Sequence, residues 1–339
     1  MSEAMLLKAF KGTNSKVPVW FMRQAGRFLP EYRKLREKHT LGEMFRDPDV
    51  ATEVTCLPVD LLGVDAAILF ADILTLPSGM GFHVEFAAEG PVIRNPVLVP
   101  SDVMRVHDME GLEYIAQILR QVRAKLPVSK TVIGFAGSPF TVLAYLLKEG
   151  VRMNMPKVLR FAYEHPEAFN SLLEKLTRNT IAYLRMQMHA GAEVYQLFDS
   201  WGGVLREEDY RRWILPGVQT IFRELGGNSI YYLKNSSHLL NAMTESGARM
   251  ISVCETVDIA SDPRLKGITQ GVQGNLFNGL MYAPTAMLLS ETSRILKAGT
   301  QFNGHIFNLS HGIHPDMNPD QARRVIEVVH AFDPQKGVI

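Results

Sequence analysis

The chain has 339 residues, 46% of them apolar, which is enough to bury a large core within one domain, residues 1–339. Its 36 basic and 35 acidic residues nearly cancel, so no global field would draw it to nucleic acid or to an anionic membrane, and any pull on an acidic ligand must be local. Cys56 and Cys254 stand far apart with no CxxC or Cys/His ladder, which argues against a disulfide framework or a structural zinc site and for a reducing cytoplasm.

The opening MSEAMLLKAFKG lacks the long apolar segment and cleavage site of a signal peptide, and no later stretch reaches the ~18 apolar residues of a membrane span. A soluble, unprocessed protein is expected. Eight short runs rich in β-branched, aromatic and aliphatic residues then follow, at 18–22, 66–71, 131–136, 194–198, 229–233, 250–253, 267–270 and 305–309. They are almost continuously apolar, as strands buried on both faces of a parallel sheet are, and segments of helical periodicity separate them. No GxGxxG follows the first run, so eight β-α units favour a closed (β/α)8 TIM barrel, α/β in class, over an open dinucleotide-binding sheet.

Helix ends are legible at several places. Asp47 and Pro48 open a helix that runs to the Gly63 turn. Ser138 is placed to cap, Pro139 to take the first helical position, and Gly150 to close the helix after the third strand. Residues 156–188 divide into two helices near His165 and Pro166. Between the second and third strands, residues 79–96 read as an excursion with short strands, HVEF and PVI, leaning over the barrel mouth.

The downstream strand ends carry the polar residues: Arg23 and Arg27, Asp72, Gly137 and Ser138, Asp199 and Ser200, Lys234, Glu255 and Thr256, Asn275, and His311. Catalytic groups of barrel enzymes sit at that C-terminal rim, so these should converge on one mouth. Some have plainer roles available. Ser138 fits a cap, a lone Asp at a strand end often caps the next helix, Lys234 and Glu255 are candidates for an ion pair, and Tyr145 lies deep enough in its helix for core packing. His305 and His311 stand at opposite ends of the last strand, about 20 Å apart at ~3.3 Å per residue, so they cannot share a metal. HExxH, Walker A and GxSxG patterns are all missing, which leaves chemistry by fixed charges.

The strongest local signal is MRQAGR at 22–27, two arginines four residues apart around Ala25 and Gly26. A guanidinium fork grips carboxylates in a bidentate way, and small neighbours let backbone amides approach the same anion.

PVWFMRQAGRFLPEYR from Pro18, FADIL around Asp72, GFAGSPFT from Gly134, FDSWGG around Ser200, QGNL from Gln273 and FNLSHGIHPD around His311 together resemble the uroporphyrinogen decarboxylases over essentially the whole chain. The resemblance implies a barrel working as a homodimer without metal or organic cofactor. It also implies conversion of the four acetates of uroporphyrinogen to methyl groups, giving coproporphyrinogen in haem biosynthesis. The substrate-binding residues it implies are Arg23, Gln24, Ala25, Gly26, Arg27, Asp72, Tyr145, Ser200 and His311, with Phe45 a weaker candidate; Asp72, Arg23 and Arg27 carry the chemistry.

The chain departs from the family pattern in three places. Val253-Cys254-Glu255-Thr256 stands where Leu-Asp-Trp-Thr is usual, Phe277-Asn278 where Asp-Pro is usual, and Asn235 where Gly follows the lysine. Two other readings are a zinc and cobamide-linked methyltransferase of the same superfamily and a catalytically silent tetrapyrrole carrier. The first needs a His-x-Cys that the stretch Lys234 to His238 lacks.

Overall fold

The computed structural model describes residues 3–87, 90–148 and 155–338. Its strands are β1 (Ala66–Ile68), β2 (Val84–Ala87), β3 (Gly90–Ile93), β4 (Thr131–Gly137), β5 (Val194–Asp199), β6 (Ser229–Leu233), β7 (Met250–Ser252), β8 (Gly271–Gln273) and β9 (His305–Ile306). Seven of them form one parallel sheet in the order β1-β4-β5-β6-β7-β8-β9, each neighbouring the next in the chain. All seven residues of β4 are buried, as the uninterrupted apolar run predicts for a strand covered on both faces.

Segment 18–22 closes this curled sheet into a barrel. Val19 bridges in parallel to Phe307 beyond β9, and its carbonyl accepts the Asp65 N–H at 2.8 Å on the β1 side. The segment was expected to be a full strand, and it makes a single bridge instead. Side chains take three of its N–H groups: the Val19 N–H donates to the Asp65 carboxylate, Phe21 N–H to Gln24 Oε1, and Met22 N–H to Asn308 Oδ1, while Pro18 has no N–H to give and only the Trp20 N–H reaches a backbone carbonyl, that of Phe307 at 3.4 Å.

A second correction concerns residues 267–270. Gly267 has φ +76° and the chain is still turning there, so β8 begins only at Gly271. The strand that forms is only three residues long and lies just downstream of the expected run.

Other signals hold. The Asp47 side chain caps helix Pro48–Leu62, which ends at Gly63 with φ +80°. Ser138 caps helix Pro139–Leu146, while Gly150 lies outside the described residues. Helices Pro156–Glu164 and Pro166–His189 meet at His165. The excursion forms the antiparallel hairpin of β2 and β3.

Polar side chains fill the barrel interior below the mouth. The Trp20 indole N–H donates to Gln273 Oε1 at 3.0 Å, and the Gln273 amide donates to Gln196 Oε1 and Ser252 Oγ, each at 3.0 Å. These residues come from four different walls, so the barrel has a solid floor. Among the described residues, no helix is long and apolar enough to cross a membrane.

Candidate active site

The loop after segment 18–22 is braced from the last strand. Besides the Asn308 bond, the Ile313 N–H donates to the Met22 carbonyl at 2.9 Å, which ties the arginine loop to the loop carrying His311. Arg23 adopts φ +62°, a left-handed conformation unusual for a side chain of its size, and is solvent-exposed at the mouth. Its charge reaches Asp72, Tyr145, Tyr232 and His311, so these groups share one space.

Gln24 differs from expectation. It is fully buried, its amide donates to the Ala66 carbonyl at 2.8 Å, and its oxygen accepts the Phe21 N–H. The side chain is consumed in joining the loop to β1, so Gln24 positions the arginines rather than offering a free amide to a ligand. Ala25 and Gly26 are half-buried beside it. Arg27 is exposed, and its charge acts on Tyr32. Tyr32 meets Phe70 edge-on, with ring centroids 5.8 Å apart, which puts Arg27 on the β1 side of the mouth.

Asp72 lies four residues beyond β1, in the turn before helix Thr75–Gly79. Its Oδ1 accepts the Leu74 N–H at 2.8 Å, so one oxygen does the turn-forming work that a lone Asp at a strand end often does. Burial pushes the Asp72 carboxyl up to about 6, against the opposing pull of the Leu74 N–H and the Arg23 charge.

Phe45 is buried between Phe70 of this wall, at 4.8 Å between centroids, and Phe86 of β2, at 5.0 Å. It thereby seats the excursion hairpin against the β1 side of the mouth.

Two walls on from β1, Asp199 at the end of β5 serves the scaffold. It is fully buried and accepts from Thr141 Oγ1 at 2.8 Å, from the Gly202 N–H at 2.7 Å and from the Tyr231 hydroxyl at 3.2 Å. Burial pushes its carboxyl up. These bonds hold the turn that presents Ser200, whose own N–H donates to Thr141 Oγ1 at 2.9 Å. Tyr145 is half-buried, meets Trp201 edge-on at 6.5 Å, and has its phenol pushed up by burial and by the Asp72 charge. Neither pure core packing nor full exposure describes it.

His311 is half-buried, and burial together with the Arg23 and Lys234 charges pushes its imidazole down to about 4, so it is neutral at physiological pH. His305 is buried at the far end of β9 and contacts the Gly274 carbonyl through Nε2 at 2.9 Å. Among the described residues, no group of three or more His, Cys, Asp and Glu is arranged to hold a metal ion, and no ion pair joins Lys234 to Glu255.

Two other rim residues prove structural. Asn275 is buried and donates to the Cys254 and Val257 carbonyls at 2.9 and 2.7 Å, fastening the loop after β7. Asn278, where the family has Pro, donates to the Gly312 carbonyl at 3.2 Å and so steadies the His311 loop.

Sequence reasoning missed Tyr232 and Gly312. Tyr232 points into the barrel from β6 and donates to the Ser310 carbonyl at 3.4 Å; strand alternation from Lys234 was the available signal.

The family description "Uroporphyrinogen decarboxylase (URO-D)" matches residues 1–332. A uroporphyrinogen decarboxylase of Carboxydothermus hydrogenoformans is 40% identical over 332 residues, covering 96% of this chain and 95% of its own. One from Thermus thermophilus is 40% identical over 333 residues, covering 96% and 97%. Among solved structures, a methyltransferase from Methanosarcina mazei superposes with a TM-score of 0.79 over 96% of this chain and 98% of its own. At 17% identity that likeness concerns the fold. With the family match running from the arginine loop through the last strand and two relatives at 40% identity along almost their full length, the chain belongs to the uroporphyrinogen decarboxylase family.

Proposed function

We propose that this protein removes carbon dioxide from the four acetate side chains of uroporphyrinogen III to give coproporphyrinogen III, a carboxy-lyase reaction run without metal or organic cofactor. The observation that carries the reading is the meeting of Arg23, Asp72 and His311 at one mouth, in a chain of this family.

Decarboxylation needs a sink for the electron pair left when the C–C bond to the carboxylate breaks. Protonation of the pyrrole ring carbon supplies one: the ring becomes a cation and takes up the pair as carbon dioxide leaves, then a proton added to the exocyclic carbon completes the methyl group while the ring carbon gives its proton back to solvent and the pyrrole is restored. Asp72 lies under the macrocycle, accepts from pyrrole N–H groups through its open oxygen and stabilises the ring cation. A fixed charge aimed at a developing charge is worth about 3 to 4 kcal/mol. The half-buried setting strengthens that attraction.

Arg23 and Arg27 clamp carboxylates at the ring edge, and the backbone of Gln24, Ala25 and Gly26 lines their loop. Arg is a poor general acid near neutrality because its pKa lies above ~12, so the clamp is its role. Tyr145, Ser200 and neutral His311 orient other carboxylates by hydrogen bonds, and Phe45 backs the wall under Asp72. The working form is a homodimer.

The test is release of carbon dioxide from uroporphyrinogen III by the purified protein, with coproporphyrinogen identified as product. Turnover by the unaltered protein and its loss in folded Asp72→Asn is the expected result. Binding of the tetrapyrrole without release of carbon dioxide would leave a carrier in place of an enzyme.

A further inference from the structure

We propose that Lys234 is a third carboxylate-binding cation, gripping the acidic edge of the tetrapyrrole on the wall opposite Arg23. The proposal rests on the reading of the ligand as a polycarboxylated ring.

The barrel order supplies the first argument. Counting from the closing segment, β6 is the fifth of eight walls, four places from the segment that carries Arg23 in either direction. A residue at the top of β6 therefore faces Arg23 across the mouth. Lys234 occupies that place: its N–H donates to the Asp199 carbonyl at 3.0 Å, continuing the β5–β6 ladder one residue past the strand.

Strand alternation supplies the second. Tyr232 and Lys234 lie two residues apart on one face, and Tyr232 reaches across the barrel to the Ser310 carbonyl, next to His311. Lys234 stands one step nearer the opening, where its charge and that of Arg23 both bear on His311.

Its setting is also fixed. Gly203 lies against the Lys234 carbonyl so closely that any Cβ would collide with it, and Asn235 turns the chain away with φ +54°. Lys234 is half-buried, and no ion pair satisfies it among the described residues. Glu255, the carboxylate expected to pair with it, is exposed, and its charge bears on Tyr232 without forming an ion pair with Lys234. A partly desolvated ammonium without a counter-ion is costly, and an incoming carboxylate relieves that cost.

A ring held at opposite edges by Arg23 and Lys234 sits centred over the mouth. An ammonium on a flexible stem, unlike a guanidinium fork, adapts to carboxylates in different positions. That suits a ring which must present four acetates in turn.

Two measurements on Lys234→Met and Lys234→Arg test this. One is steady-state decarboxylation of uroporphyrinogen III; the other is equilibrium binding of the oxidised ring, uroporphyrin, followed by quenching of tryptophan fluorescence. Lys234→Met should raise KM and the porphyrin Kd about tenfold, the loss of one charge-assisted contact, with kcat within about twofold. Lys234→Arg should restore most of both, and an unchanged Tm would separate a lost contact from a damaged fold.

Turnover by the unaltered protein with KM and Kd unmoved in Lys234→Met overturns the assignment and leaves the decarboxylase reading standing. Weakened porphyrin binding in Lys234→Met, with no turnover by the unaltered protein, supports Lys234 and removes decarboxylation. Neither turnover nor binding by the unaltered protein overturns both.

Discussion

Gly312 faces Arg23 so closely that a Cβ on it would lie 2.5 Å from Arg23 Cδ and 2.7 Å from Cγ. The contact is with the stem of the side chain rather than its mobile tip, so the guanidinium cannot keep its place if Gly312 acquires a methyl group. Arg23 already holds a left-handed backbone, which leaves it little freedom to retreat. Gly312→Ala is therefore expected to raise KM about tenfold or more by displacing the clamp. Steady-state kinetics checks it, and a KM within twofold of the unaltered protein would show that the arginine's position does not matter.

Asp72 gives the reaction an acid limb. With its carboxyl pushed up to about 6, the anion that stabilises the ring cation is lost as pH falls through that value, while His311, pushed down to about 4, contributes no limb near neutrality. A profile of kcat/KM against pH should fall below about 6. A profile flat down to pH 5 would remove Asp72 from the role.

The same shift fixes a stability effect of defined sign. A carboxyl raised in the folded state favours folding while protonated, below its unfolded value near ~3.9, and that contribution disappears as pH rises through about 6. Asp72→Asn should thus be more stable than the unaltered protein at pH 7.5, by roughly 1 to 2 kcal/mol, with the gap closing toward pH 4. Thermal unfolding at the two pH values measures it, and a variant less stable at pH 7.5 contradicts the burial argument.

Much of this site was legible because barrel enzymes place their chemistry by a positional rule, and polar residues at apolar strand ends stand out. Asp72 and His311 were singled out that way, and Arg23 by its motif. What the sequence hid was which polar atoms the scaffold would consume. Gln24 and Asn275 look like rim ligands until their hydrogen bonds are traced to backbone carbonyls of neighbouring walls, and Asp199 until its oxygens are found taken by Thr141, Tyr231 and the Gly202 N–H. The closing segment differs from the expected strand for a related reason: three of its N–H groups go to Asp65, Gln24 and Asn308, side chains distant or irregular in sequence, and periodicity registers only backbone alternation.

The departure from the family at Asn235 also becomes intelligible. With φ +54°, this position sits in the left-handed region, where Asn is the best tolerated substitute for the Gly that the family carries. Asn235→Gly should be almost neutral in both Tm and KM, whereas Asn235→Val should lose about 1 to 3 kcal/mol of stability through a β-branched residue in that conformation. Chemical denaturation of the pair decides it; equal stability of the two variants would refute the backbone explanation.

At the opposite end of the barrel from the mouth, buried Asp65 joins three parts of the chain. It accepts from the Val19 N–H at 2.9 Å and lies 3.2 Å from Lys130 Nζ and 2.9 Å from His330 Nε2, on the C-terminal helix Pro319–Ala331. Burial alone would raise its carboxyl, but His330, Lys130 and the Val19 N–H together outweigh burial and hold it below the usual value. A depressed carboxyl contributes stability that is present above the unfolded value near ~3.9 and lost as pH falls through the folded one. Asp65→Asn keeps the shape and leaves a partly buried ammonium without its counter-ion, so it should cost about 2 to 4 kcal/mol at pH 7. The deficit should hold from pH 8 to pH 5 and shrink below about 4, where the unaltered protein loses the same charge. Because Asp65 precedes β1 and the chemistry lies beyond its other end, kcat at 25 °C should be unchanged. Urea unfolding across that pH range tests the closure, and a deficit independent of pH down to 3 would mean that the Asp65 charge plays no part in it.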